Sequence, residues 1–92
     1  MNLPSAADVR RFLLERYSSM IAANGLEPET LDEEFDLLQA GIIDSLGILE
    51  MITAVEQRFG ISVDFEPMDP AHLTQLGKFS AFVAENAVGT SE

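Results

Sequence analysis

The chain contains no cysteine, which excludes disulfides, thiolate catalysis and cysteine-ligated metals together. A small core must therefore hold by packing alone. Basic residues are also scarce: five stand against sixteen acidic ones, for a formal charge of −11 over 92 residues. That balance repels nucleic acid and anionic membrane and points to protein partners with basic docking patches. No apolar run is long and uncharged enough to span a bilayer. The N-terminal "MNLPSAADVRRFL" lacks the basic region, apolar core and cleavage site of a secretory signal, so a cytoplasmic location is expected. The length suits one small domain, taken as residues 1–88 with a polar tail at 89–92. The Met start, with no linker at either side, favours a discrete monomeric protein over an excised module.

The apolar pattern is helical almost throughout. Ser5 and Asp8 form a capping-box signature ahead of Val9, Phe12, Leu13, Tyr17 and Met20, which predicts a first helix over about 5–23 closed by Asn24-Gly25. Residues 25–43 form a long loop, broken by Pro28 and Gly41 but anchored by Leu26, Leu31, Phe35, Leu37 and Leu38. A second helix spans 45–59 and stops at Gly60. Its core seam is Ile48, Ile52, Val55 and Phe59 with Met51 beside it; Leu46, Glu50, Thr53 and Gln57 face the other way, with Leu49 on the flank. "ISVDF" at 61–65 alternates like a strand but has no evident partner, so an ordered loop is expected. Asp69-Pro70 predicts a helical turn at about 70–73. Thr74 then caps a last helix over 75–87, with Leu76, Phe79, Val83 and Ala87 inward and Phe82 adjacent. The expected fold is all-α, a small antiparallel four-helix bundle of three main helices and one short one, with a long first loop.

Candidate chemistry narrows to one place. The acidic cluster Asp32, Glu33, Glu34, Asp36 lacks the ligand alternation, glycine and terminal glutamate of a calcium loop, so no metal is expected. His72 is the only histidine and has no sequence partner for catalysis or ligation. Ser45 lies in "GIIDSLG", but Ile43 stands where a nucleophile elbow needs glycine, and no strand precedes it. No catalytic residue is assigned, and the chain is not expected to be an enzyme. What stands out is a hydroxyl at a helix N-terminus, whose free N–H groups favour an attached phosphate. Beside it are two outward leucines, Leu46 and Leu49, and acidic residues Asp44, Glu50 and Glu56.

"DSL", followed by an amphipathic acidic helix closing on Phe59-Gly60, resembles the attachment site of acyl and peptidyl carrier proteins, and the resemblance covers almost the whole chain. It implies that Ser45 carries 4′-phosphopantetheine, installed from coenzyme A by a phosphopantetheinyl transferase. The arm's thiol would hold an acyl or aminoacyl group as a thioester. Other implied partners are a cargo-loading ligase or acyltransferase and downstream enzymes of fatty-acid, polyketide or nonribosomal-peptide type synthesis. By position, Asp44 matches the aspartate that supports transferase recognition. Leu46, Glu50 and Glu56 match partner-recognition positions, to which the outward Leu49 and Thr53 are added. Gly47 and Gln57 depart from the acidic residues of many fatty-acid carriers, and Arg58 weakens the acidic stripe further. "GIIDSLG" with "FGISV" is closer to discrete carriers of an amino acid or short acyl group, the D-alanyl type among them. The competing expectation is an acidic helical adaptor that docks on a basic protein and carries no prosthetic group.

Overall fold

A computed structural model describes residues 3–64 and 71–89. Among them the order is α1 (Ala6–Arg16), α2 (Ser18–Ala23), a 3₁₀ turn (Pro28–Thr30), α3 (Ser45–Phe59), β1 (Ile61–Ser62), α4 (Ala71–Thr74), α5 (Leu76–Asn86) and β2 (Val88–Gly89). The fold is the expected small helical one, centred on Val9 and Leu13 of α1, Met51 and Val55 of α3, and Leu76, Phe79 and Val83 of α5.

The first helix begins as its sequence dictates. The Ser5 hydroxyl accepts the Asp8 N–H and the Asp8 carboxylate accepts the Ser5 N–H, at 3.1 and 3.0 Å. The Ser5 backbone N–H, and then its hydroxyl, hold the Asp8 carboxyl below the usual carboxylate range. The helix does not run unbroken to residue 23: it is interrupted at Tyr17, with ψ at 14°. The Ser18 hydroxyl donates to the Glu15 carbonyl at 3.1 Å, a side-chain bond of the kind that competes with the helical ladder. Beyond the break it is Ile21 that is wholly buried, whereas Met20, expected on the inner stripe, is 46% exposed.

The long loop is pinned at several points. Leu31 and Leu37 are buried, and Leu26 and Phe35 pack against the core; Leu38 is exposed. Arg10 of α1 donates to the Leu31 carbonyl. The loop also pairs with the α4–α5 junction: Leu37 N–H donates to Thr74 O, Leu76 N–H to Phe35 O and Gly77 N–H to Glu33 O, at 2.8–2.9 Å. Thr74 is not the cap of α5. Its hydroxyl donates to the Asp36 carboxylate at 2.9 Å, and Gln75 stands at the N-cap position without a side-chain bond.

Two other expectations change. Ile61–Ser62 does find a partner, pairing antiparallel with Val88–Gly89; these residues lie at opposite ends of the second half of the chain, and only the return of α5 brings them together. Gly89 is therefore part of this pairing, and residues 90–92 lie outside those described. In α3 the seam is centred on Met51 and Val55, with Ile48, Ile52 and Phe59 only partly buried. The short helix falls at 71–74; its expected cap, Asp69-Pro70, lies outside the described residues. His72 is half-buried and stacks on Phe82, ring centroids 5.2 Å apart.

Candidate functional site

The entry to α3 is shaped by the residues just ahead of it. Asp36 accepts the Leu38 and Gln39 N–H groups at 3.0 Å each, opening a tight turn. Gly41 takes φ +79°, a conformation that a side chain disfavours, so that Ile42 and Ile43 can return their N–H groups to the Leu37 carbonyl at 2.9 and 3.2 Å. Both isoleucines are buried. With these two apolar side chains held in the core, the following residues, Asp44, Ser45 and Leu46, are left exposed.

Asp44 is the N-cap: its carboxylate accepts the Gly47 N–H at 2.7 Å, and its carbonyl accepts the Ile48 N–H at 3.1 Å. Ser45 is thus the first helical residue and is not needed as the cap. The Ser45 and Leu46 N–H groups have no protein acceptor among the described residues. Two unpaired donors at the positive end of a helix dipole, next to an exposed hydroxyl, suit a phosphodiester on that hydroxyl. Gly47 lies close beneath: a Cβ there would stand 3.1 Å from the Ile43 Cβ and 3.2 Å from the Asp44 carboxylate. The glycine that departs from the usual acidic position thus fits a tightly closed first turn.

The cap gives a stability prediction. Asp44→Ala removes the acceptor and is expected to lower unfolding stability by about 1 kcal/mol, whereas Asp44→Asn keeps an efficient N-cap and stays within about 0.5 kcal/mol. Urea unfolding followed by circular dichroism distinguishes the two.

The outward face of α3 carries most of the residues expected there. Leu46 and Leu49 are 64% and 61% exposed, and Glu50 and Thr53 are also exposed. Two neighbouring leucines at such exposure offer apolar area whose complete burial is worth about 1–2 kcal/mol each. Glu56 is different. It is half-buried and accepts the Val63 N–H at 3.0 Å, which ties α3 to the segment after β1. Among the described residues no group of three or more histidine, cysteine or carboxylate side chains is placed to hold a metal ion. No described helix is long and apolar enough to cross a membrane.

Arg16, exposed at the end of α1, lines one groove with Tyr17, Met20, Asp44 and Gly47, and a second with Leu49, Thr53 and Gln57. Its position beside α3 follows from the packing of α1, and no local signal in the sequence marks it.

The family described as "Phosphopantetheine attachment site" matches residues 19–83, which include the whole of α3 and the loop that presents it. A D-alanyl carrier protein of Streptococcus suis (strain 98HAH33) is 51% identical over 35 residues, 38% of this chain and 42% of that protein. The matched stretch thus spans less than half of that relative's length. No solved structure matches the chain significantly.

Proposed function

Because this chain belongs to the phosphopantetheine-attachment family, whose prosthetic group is covalently bound 4′-phosphopantetheine, we propose that Ser45 is the attachment residue and that the cargo is an amino acid or short acyl group. The observation that carries the first part is the exposed Ser45 hydroxyl beside two unpaired helix N–H groups, with capping delegated to Asp44. In this reading the chain supplies no base. A transferase takes the hydroxyl proton as Ser45 Oγ bonds to the pantetheine-side phosphorus of the coenzyme A pyrophosphate, whose P–O bond to the other phosphate breaks to release adenosine 3′,5′-bisphosphate. Once attached, the group supplies a thiol on which cargo is held as a thioester.

The chain's own residues then serve recognition. Leu46 and Leu49 give apolar contact to partner enzymes, Asp44 and Glu50 give charge toward basic docking patches, and Thr53 extends the same face. Glu56 is assigned a supporting part, since its carboxylate is committed to Val63. Support for a small cargo comes from the D-alanyl carrier protein relative and from Gly47 and Gln57 where fatty-acid carriers are acidic. The chain carries rather than transforms, working with a transferase, a loading ligase or acyltransferase, and an acceptor enzyme, in the cytoplasm as a monomer.

Intact-mass analysis tests both parts in sequence. Incubation with coenzyme A and a broad-specificity phosphopantetheinyl transferase is expected to add one phosphopantetheine. The product is then offered, with ATP, to ligases that activate D-alanine, other amino acids or fatty acids. Loading by the amino-acid ligases at least tenfold faster than by the fatty-acid ligase is expected. The reverse preference would overturn the cargo assignment and leave the attachment assignment standing.

A further inference from the structure

Gly47 is the third residue of α3, two positions after Ser45, yet nothing in its backbone calls for glycine. Among the described residues the positive φ angles belong to Gly25, Gly41 and Gly60, whereas Gly47 is an ordinary helical residue. Inside a helix, glycine is the least favourable residue after proline. What the position does demand is room. A Cβ there would stand 3.1 Å from the Ile43 Cβ, 3.2 Å from the Asp44 Oδ1 and 3.6 Å from the Ile43 Cγ2. The first two are closer than the optimum for non-bonded atoms.

Neither neighbour can retreat without disturbing the residues that lead into Ser45. Ile43 is buried, and its N–H is bonded, with that of Ile42, to the Leu37 carbonyl. Asp44 can swing its carboxylate aside only by giving up the 2.7 Å bond from the Gly47 N–H that caps the helix. Ser45 follows both, so relief of the crowding is passed to it through the backbone it shares with them. We propose, resting on the assignment of Ser45 above, that Gly47 is a positioning residue for phosphopantetheine transfer. Its missing side chain lets Ile43 and the Asp44 carboxylate close over the first turn of α3 and so fixes where the Ser45 hydroxyl is presented.

The constraint lies at the first side-chain atom. Beyond it, Gly47 lines an open groove of about 360 Å³ with Tyr17 and Met20, so the outer atoms of a longer side chain have space. Alanine, serine and aspartate at this position are therefore expected to act alike. Added negative charge brings no gain, because the Cβ that carries it disturbs the hydroxyl to be modified.

The test compares the whole parent chain with Gly47→Ala, Gly47→Ser and Gly47→Asp as acceptors for one broad-specificity phosphopantetheinyl transferase and coenzyme A. Rates are measured at a temperature where circular dichroism shows every variant folded, so that slower transfer does not report lost structure. Attachment to Ser45 is located first in the parent; a parent modified elsewhere overturns the assignment of Ser45 and this inference with it. With the parent loaded on Ser45, initial rates over a range of carrier concentrations separate kcat from KM. All three variants are expected to show kcat lowered about three- to tenfold, the direction in which small errors of orientation act. KM is expected to stay within about twofold, because Leu46, Leu49 and Glu50 keep their exposed places. An unchanged kcat in Gly47→Ala, faster transfer to Gly47→Asp, or a loss carried by KM alone would overturn this inference and leave the assignment of Ser45 standing.

Discussion

Ser45→Ala is expected to abolish uptake of phosphopantetheine completely while leaving unfolding stability within about 0.5 kcal/mol of the parent. The second half of that statement follows from the helix entry. Asp44, not Ser45, caps α3 through the Gly47 N–H, and the serine side chain is exposed. Alanine is a somewhat better helix former than serine, which offsets the little that is lost. A serine kept only for helix capping would show the opposite pattern, with lost stability and unchanged loading. Asp44 supplies the complementary variant: Asp44→Asn preserves the cap and so reports on charge recognition by the transferase without a change in fold.

Gly77→Ala is expected to destabilise the protein strongly for so small a change. Gly77 sits in the first turn of α5, where its N–H donates to the Glu33 carbonyl at 2.8 Å. An added Cβ would lie 2.5 Å from the Glu33 Cβ and 2.8 Å from the Glu33 carbonyl oxygen, with the Glu33 carboxylate nearer still. Backbone on both sides must then move. The loop has little freedom to do so, because Leu37, Phe35 and Asp36 are each bonded to residues 74–76. The gain of up to about 1 kcal/mol from replacing glycine in a helix is outweighed by crowding, giving a net loss of about 1–3 kcal/mol. At about 4–8 °C per kcal/mol for a domain of this size, thermal melting should fall by about 5–20 °C. An unchanged melting temperature would mean that the loop docks less rigidly than the bonds at 74–77 indicate. The consequence reaches the site, since the same loop carries Ile42 and Ile43, whose burial sets the exposure of Ser45.

Local signals in the sequence anticipated the bounds and outward face of α3 better than the contacts that pack around it. Asp44 and Gly60 mark the ends of α3 because a cap and a left-handed stop act within one turn, and the structure places the helix at Ser45–Phe59. The exposure of Leu46 and Leu49 was likewise legible from helical period alone. Features that depend on distant partners were not. The strand pairing of Ile61–Ser62 requires residues 88–89, and Thr74 was taken from its capping position by Asp36, 38 positions earlier in the chain. Glu56 matches a recognition position through the family resemblance, and its bond from the Val63 N–H, which ties α3 to the segment after β1, was not legible. The break at Tyr17 left no clear mark either: Ser18 and Ser19 are tolerated inside helices, and only the bond to Glu15 shows which alternative won.

Peptide mapping of the transferase-treated chain locates the prosthetic group directly. Cleavage after glutamate releases residues 35–50, in which Ser45 is the only serine. With Ser45 as the attachment residue, this fragment alone is expected to carry phosphopantetheine. Its presence instead on a fragment containing Ser5, Ser18, Ser19, Ser62, Ser80 or Ser91, or an unmodified chain beside a fully loaded control carrier, would contradict it.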